Sequence, residues 1–296
     1  MELYHFYQVL TEVGVSVNAS QTIRDALIRN SFVLKDVVYE LKNREPSWTK
    51  LETEFAKRSF EIDRELKIEK GMGIQRVHWG EPMYPKQFQK LQDPPFSFSY
   101  LGTEDWLHFP LIGVVGSREP QEISYSWMSQ HLLEFLKMAN CGLVSGGARG
   151  IDQNAHEMSI LAGRPTLVVL PSGLRRIYPS SLQQRLAKWG DSGVTLISEY
   201  PLFSEMRKHC FHHRNRLISG FSEILLVIEA RRKSGTLMSA GLAAQQGTPV
   251  AVVPAHPSMI NLLGNLDLWL DGAQPVRDAQ DLVMLFEAEK FGFSNS

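Results

Sequence analysis

The stretch 141–156, CGLVSGGARGIDQNAH, combines residue types that can bind an anion. Its apolar start suits the end of a buried parallel strand, and Gly146, Gly147 and Gly150 permit a tight turn before a helix that begins near Asp152. The first N–H groups of a helix lack partners within the helix, and the helix dipole places its positive end there. The pattern predicts a phosphate-binding turn, although a strand-to-helix connection that binds nothing has the same features.

Three further strand ends carry cationic or hydroxyl side chains. They are Gly116, Ser117 and Arg118 after LIGVVGS, Arg175 and Arg176 after TLVVLPSG, and Ser234, Gly235 and Thr236 after EILLVIEA. Arg118 can donate two hydrogen bonds to a phosphate, whereas Arg175 could simply be solvated. Thr236 belongs either to a second phosphate site or to an ordinary N-cap. The first strand end lacks GxGxxG, and no acidic residue ends the second strand, so we predict no nicotinamide cofactor.

The segment 208–220, KHCFHHRNRLISG, interleaves basic and aromatic residues. Its cations are Lys208, Arg214 and Arg216, and its rings are Phe211, His212 and His213. Single-stranded nucleic acid offers phosphates to cations and unstacked bases to rings. A duplex does not expose the faces of its bases, so the segment favours single strands. Two alternatives remain open: Phe211 could be a core residue, and the histidines with Cys210 could bind a metal. Their spacing matches no closed zinc site, so we predict no metal.

Strands and helices that could position these residues alternate after residue 109. Six apolar runs rich in β-branched residues (the three above, GLVSGG, VTLISEY and PVAVVPA) are separated by helical segments. This alternation predicts a mostly parallel α/β sheet with helices on both faces. Ligands of such sheets bind beyond the carboxyl ends of the strands, where the basic and glycine-rich segments would meet.

The chain is predicted to divide into three parts. Residues 1–80 show helical spacing of apolar residues and predict a separate helical domain. Residues 81–108, rich in proline and aromatic residues, predict a connecting segment that packs on the next domain. Residues 109–296 form the α/β domain.

Composition limits the possible partners and compartment. The 296 residues carry a formal net charge of −1, so nucleic-acid binding must depend on a local patch of charge. Two cysteines argue against a disulfide framework. Without a signal peptide or a membrane-spanning apolar run, the chain is predicted to be cytoplasmic, with no membrane partner.

Several sequence blocks, in this order along the chain, resemble those of the DprA/Smf family. They are GVVGSR (113–118), LVSGGARGIDQNAH (143–156), LVVLPSGLRRIYP (167–179), LISEYP (196–201), FHHRNRLISG (211–220) and VIEARRKSGTLMSA (227–240). The resemblance implies an extended Rossmann-like fold that binds single-stranded DNA without catalysis and without a cofactor. It further implies protection of incoming DNA in natural transformation, loading of the RecA recombinase, and a homodimer. The N-terminal part would correspond to a small SAM-like domain, and no winged-helix domain is expected after Gln274.

The resemblance also implies a set of DNA-binding residues. They are Ser117, Arg118, Ser145, Gly146, Gly147, Lys208, Phe211, Arg214 and Arg216, with Arg118 on a phosphate and Phe211 stacked on a base. Asn215 would either fix the loop or read a base edge. The family commonly has leucine in place of Gly147 and proline in place of His212. It also commonly has a basic residue after the YP block, a role that Arg175 could take over here. The segment 234–236 is predicted to be a further DNA contact.

Two other functional classes fit parts of the pattern. A Rossmann-like phosphoribohydrolase acting on nucleotide monophosphates would use a glycine-rich phosphate turn, but its PGGxGTxxE signature is not present. Such an enzyme also needs a carboxylate, and Asp152 and Glu199 are instead predicted to brace a helix start and a strand-end loop. A scaffold that binds only proteins would leave the basic strand ends without a role.

Overall fold

Strands from along most of the chain meet in one sheet. A computed structural model describes residues 6–7, 9–10, 17–44, 48–190 and 192–290. Within these ranges nine strands form a sheet in the order β1-β2-β6-β5-β4-β3-β7-β8-β9. They are β1 Gln75–His78, β2 Ser97–Leu101, β3 Leu111–Gly116, β4 Gly142–Ser145, β5 Thr166–Val169, β6 Val194–Ser198, β7 Ser222–Glu229, β8 Val250–Val252 and β9 Gln274–Pro275.

Helices cover both faces of this sheet. The helices are α1 Val17–Arg29, α2 Leu34–Arg44, α3 Trp48–Gly71, α4 Glu122–Trp127, α5 Leu133–Met138, α6 Ile151–Leu161, α7 Ser180–Trp189, α8 Lys208–Phe221, α9 Gly235–Gln245, α10 Leu263–Leu270 and α11 Ala279–Lys290. Helices α8 and α9 pack on one face, and α5, α6 and α11 on the other. The predicted α/β class, with its mostly parallel sheet, two helical layers and N-terminal helices, is confirmed.

The strand order reverses beside β3. From β3 the chain adds β4, β5 and β6 on one side, then returns to add β7 and β8 on the other, all in parallel pairing. The central strands β3, β4 and β5 are buried almost throughout, which explains their continuous apolar sequences. The reversal opens a crevice beyond the carboxyl ends of β3 and β7, the usual ligand position in such sheets.

The segment 81–108, predicted as a connection, also contributes to the sheet itself. Its strand β2 pairs antiparallel with β6 on one side and with β1 on the other. Phe98 and Tyr100 pack into the core, while the alternate residues Ser97 and Ser99 face the other way and are also buried. This period of two was a strand signal that the nearby prolines obscured. The division into domains itself remains a prediction.

The N-terminal helices have their own apolar core and contact the hairpin β1–β2. Ile23, Leu27 and Leu41 are fully buried in a cluster that also includes Phe96, from the loop before β2. The Arg24 guanidinium lies 4.6 Å from the Phe96 ring centroid. Parts of the predicted 1–80 domain (1–5, 8, 11–16 and 45–47) lie outside the described residues, as do residue 191 and residues 291–296. Within the described residues, no helix has the length and apolarity needed to cross a bilayer.

Candidate nucleic-acid interface

A cleft of about 900 Å³ opens at the reversal point of the sheet. We call it the switch-point cleft. Its walls are the chain after β3, the glycine turn after β4, helix α8 and the start of α9. Residues 178–181, at the start of α7, line it as well, so segments that are far apart in sequence meet here. The predicted site residues that line it are Ser117, Arg118, Gly146, Lys208, Phe211, Arg214, Asn215, Ser234, Gly235 and Thr236.

Phe211 and Arg118 form a stacked pair in this cleft. The Arg118 Cζ lies 5.1 Å from the Phe211 ring centroid, and the Tyr178 ring meets Phe211 edge-on at 5.7 Å. Stacking orients the guanidinium while its N–H groups stay free for an anion. Phe211 is half-buried and lines the cleft, so it is not a core residue. Arg118 and Lys208 are exposed.

Arg214 lies beneath the glycine turn as a buried cation. It is 4% exposed, and a Cβ on Gly146 would come within 1.6 Å of its Nη1, so glycine at this position leaves room for the guanidinium where it lies. Burial lowers the pKa of Arg214 to about 10, against the opposing effect of the Asp152 carboxylate. Its Nε and Nη1 have no hydrogen-bond partner within the described structure. The cleft thus contains a buried cation with unused donors.

Asp152 braces the turn, as predicted from the sequence. Its Oδ2 accepts a hydrogen bond from the Ala148 N–H at 3.3 Å. Burial raises the pKa of Asp152 to about 6, while Arg214 and the hydrogen bonds act in the opposite direction. Two N–H groups that were expected to be free are occupied, since Ile151 donates to the Ser117 carbonyl and Gln153 to that of Ala148. Side chains rather than these amides are therefore the donors available to a phosphate.

Four residues of the predicted set do not line the switch-point cleft, and two of them, Ser145 and Gly147, belong to the segment around the glycine turn. The Ser145 hydroxyl donates to the Val114 carbonyl at 2.6 Å, which ties β4 to β3. Gly147 has φ +69, and a Cβ there would meet Leu182 and Val168, so this glycine serves a turn packed against the core. Gly147 lies on the turn as predicted, whereas Ser145 is the last residue of β4, and both point inward rather than into the cleft.

The 234–236 segment and Asn215 fix the other wall. Ser234, not Thr236, caps α9, because its hydroxyl accepts from the Leu237 N–H at 3.4 Å. Thr236 is 8% exposed and lines the cleft. The Asn215 amide donates to the Ser239 hydroxyl at 2.9 Å, which joins α8 to α9. This contact favours the bracing role that was one of the two predicted for Asn215.

Arg216 lies on the opposite side of α8, in a second cleft of about 880 Å³. We call this the Arg216 cleft. The Nη2 of Arg216 donates to both carboxylate oxygens of Glu199, at 2.7 and 2.8 Å. Through this pair Glu199 pins the end of β6, as predicted. Burial lowers the pKa of Arg216, but Glu199 and Asp93 outweigh it and raise that pKa above its ordinary value. Residues two apart on a helix face different sides, so the RNR motif cannot place both arginines in one pocket.

Arg175 joins neither cleft. It is exposed, and its backbone N–H donates to the Leu202 carbonyl at 3.0 Å. The position of Arg175 therefore does not support the prediction that it takes over the role of the family's basic residue after the YP block. Ser180 and Ser181, which occupy that place in this chain, do line the switch-point cleft.

Sequence reasoning missed a partly buried ionic network centred on Asp93, whose side chain is 24% exposed. This carboxylate lies 3.3 Å from Arg24 Nη2, 3.4 Å from His213 Nε2 and 3.9 Å from Arg216 Nη2. Burial opposes its ionisation, but these three partners outweigh burial and lower the pKa of Asp93 to about 2. Asp93 follows a 3₁₀ helix in the proline-rich segment, and no local motif marks it. In the residues described, no group of three or more His, Cys, Asp or Glu side chains could hold a metal ion.

The mostly parallel sheet, with a cleft lined by basic side chains at its reversal point, has the architecture of a Rossmann-like fold. A family model described as DNA recombination-mediator protein A matches residues 75–287, and the chain belongs to this family. Among curated relatives, the chain is 32% identical to DNA processing protein DprA of Bacillus subtilis over 222 residues, covering 75% of this chain and 74% of that one. It is also 32% identical over 207 residues to the protein Smf of Synechocystis, of which the match spans about half, 52%.

Two solved structures resemble the fold. DNA processing protein A from Streptococcus pneumoniae matches with a TM-score of 0.79 and 25% identity, over 96% of both chains. DNA processing protein A from Helicobacter pylori, described for its single-stranded DNA binding mode, matches with a TM-score of 0.64 and 28% identity. That match covers 73% of this chain and 97% of the other.

Proposed function

We propose that this protein binds single-stranded DNA in the switch-point cleft and acts on it without catalysis. In this role it would protect incoming DNA during natural transformation and load the RecA recombinase onto it. The family and the single-stranded DNA binding mode of the Helicobacter pylori relative support the DNA ligand. The protection and loading roles extend the recombination-mediator description of the family.

One juxtaposition carries the proposal. A strand-end arginine stacks on a half-buried ring, next to a buried arginine with unpaired donors and an exposed lysine. Exposed cations bind phosphates, and an aromatic side chain can stack on a base that is not already stacked in a duplex. The residues are Arg118, Phe211, Arg214 and Lys208.

The absence of catalysis is part of the proposal, and the positions of the acidic residues support it. Asp152 is bound by the Ala148 amide, and Glu199 is paired with Arg216 in the other cleft. Glu229 is fully buried and accepts from the Gln121 N–H and the Ser124 hydroxyl. Glu119, at the rim, lies 2.5 Å from Arg149. Release of a free base from a nucleotide monophosphate would instead identify a phosphoribohydrolase.

Fluorescence anisotropy with a labelled deoxythymidine oligomer and a duplex of equal length tests the DNA ligand. We expect tight binding of the single strand, weak binding of the duplex, and an affinity that falls steeply with salt. Replacing Arg118 by alanine should weaken binding to all sequences similarly and make the salt slope shallower by about 0.7. Lys188→Ala, an exposed cation on α7 that lines neither cleft, is the control. Equal affinity for single strand and duplex would contradict the proposal.

We further propose that the protein acts in the cytoplasm as a homodimer. Exposed apolar side chains between β8 and β9 support self-association, since Ile260 is 78% and Leu270 77% exposed. Light scattering at several concentrations should detect a dimer in the wild-type chain, and Leu270→Glu should shift it towards monomer. An unchanged mass for this variant would place the dimer contact elsewhere.

A further inference from the structure

Helix α8 separates two clefts and presents different residues to each. Lys208 and Phe211 line the switch-point cleft, His209 and His213 line the Arg216 cleft, and His212 lines both. With 3.6 residues per turn, His212 lies at the boundary between the two faces of the helix. A helix with its side chains is about 10–12 Å across, so only this short crossing separates the clefts.

Arg216 carries hydrogen-bond donors that the described structure leaves unused. Its Nη2 contacts Glu199, but Nε and Nη1 are buried and have no partner. The residue is 7% exposed and lines the Arg216 cleft. A guanidinium has donors only, so the group that would complete its hydrogen bonds is an acceptor, and an oxyanion suits its charge best.

Counting Arg216, the lining carries three cations against two carboxylates, and it also carries flat rings. Arg58 and Arg207 add positive charge, while the carboxylates that line the cleft are Asp93 and Glu205. Asp93 is already engaged by the cations of its own network. Three imidazoles, His209, His212 and His213, stand among these charges. Rings interleaved with cations along a groove are the features that bind a single strand.

We propose that the Arg216 cleft binds the continuation of the same DNA strand that occupies the switch-point cleft. The strand crosses the first turns of α8 at His212, and its phosphates accept from Arg216 and from the rim cations. This inference rests on the proposed function and extends it to a longer site. It assigns Arg216, the second arginine of RNR, to the part of the strand in the Arg216 cleft. Arg118 and Arg214 are assigned to the part in the switch-point cleft.

The test measures how the effect of a rim variant depends on oligomer length. The double variant Arg207→Gln/His209→Gln removes two exposed side chains of the Arg216 cleft and leaves the buried Arg216–Glu199 pair intact. Deoxythymidine oligomers from about 4 to about 16 nucleotides are titrated by anisotropy at several salt concentrations. Lys137→Gln, an exposed cation on α5 across the sheet, controls for the loss of charge.

We expect the double variant to match the wild type on the shortest oligomers that bind and to bind the longest about fivefold more weakly. Its salt slope on the longest oligomers should be shallower by about 0.7 for each phosphate that no longer meets a cation. Arg118→Ala, in contrast, should weaken every length. A loss that is equal at all lengths, or no loss at any length, overturns the inference while leaving the proposed function in place.

Two further outcomes are also decisive. If thymidine monophosphate binds to the rim residues independently of the DNA strand, the Arg216 cleft is a separate nucleotide site. The inference of a continuous strand is then overturned. If no oligomer binds the wild-type chain at any length, the proposed function fails, and the inference fails with it.

Discussion

The two faces of α8 differ in how each satisfies a buried arginine. Arg214 and Arg216 are both almost fully buried, at 4% and 7% exposure, and only one residue separates them. In both arginines Nε and Nη1 have no partner in the described structure, but Nη2 of Arg216 contacts both oxygens of Glu199, whereas Arg214 forms no ion pair among the described residues. Burial dominates at Arg214 and lowers its pKa, while neighbouring carboxylates dominate at Arg216 and raise it.

This difference separates a cation whose charge is already paired from one whose charge is not. A buried ion pair holds its surroundings because removing one partner leaves the other charge buried alone. A buried cation with no carboxylate partner gains more from an anionic ligand than one whose charge is already paired. Gly146 allows this arrangement by letting the Arg214 guanidinium lie directly against the backbone of the turn.

The largest effect should come from replacing each arginine by methionine. Arg216→Met leaves the Glu199 carboxylate buried without its partner, so we expect the free energy of unfolding to fall by about 3–5 kcal/mol. Arg214→Met should cost less stability, because it breaks no direct ion pair. It should instead weaken single-strand binding about 10- to 100-fold. Urea unfolding and anisotropy on both variants measure the two quantities.

A reversed order would break the comparison. If Arg214→Met were the more destabilising variant and kept its affinity for the shortest oligomers, Arg214 would be the structural cation. The Arg216→Met variant, assayed where it remains folded, should keep wild-type affinity for those oligomers.

The next largest effect is a pH dependence of the unfolding free energy that arises on the switch-point side of α8. The pKa of Asp152 is about 6 in the folded chain, against an ordinary 3.8. Between these values the folded state binds more protons than the unfolded state, so this group lowers stability as pH rises through the window. Relative to Asp152→Asn, the wild type should lose about 2 kcal/mol of unfolding free energy between pH 3.8 and pH 6, and about 3 kcal/mol over the whole titration.

The comparison with the asparagine variant is needed because His156 acts in the opposite direction. Burial lowers its pKa to about 3, so its contribution to stability is lost as pH falls from 6.5. Urea unfolding of both proteins at each pH isolates Asp152. A difference that stays constant with pH would show that Asp152 is ionised normally.

The smallest effect tests the ring on the switch-point side. Phe211→Ala removes a base-stacking surface worth about 1–3 kcal/mol per base, so affinity for the single strand should fall roughly 5- to 150-fold. Phe203→Ala, a 40% exposed ring that lines neither cleft, should bind like the wild type. Anisotropy measures both. An unaffected Phe211→Ala variant would leave Phe211 only the role of supporting Arg118.

Much of the α/β fold was predictable because its strands are buried on both faces. Continuous apolar runs such as LIGVVGS and EILLVIEA need no tertiary information to be read as parallel strands. The strand β2 was harder, because its alternation of serine with aromatic residues stands beside prolines that suggest a loop. The proposed site was predictable in outline, because parallel strand ends must share an edge.

The arginine pair shows why the rest of the site was not predictable. The RNR motif gives the charges, but which cleft each one enters depends on the rotation of α8 against the sheet. The carboxylates that then distinguish them, Asp152 and Glu199, come from other strand ends. Asp93 reaches Arg216 from a loop more than a hundred positions earlier in the chain.

By itself, the sequence determined the order of strands and helices, the glycine turn and the residue types available at each strand end, because these depend on local pattern. The tertiary structure alone decided which cations are paired and which keep free donors. Pairing depends on distances between segments that only the folded sheet brings together, and burial then multiplies the energetic consequence of each distance.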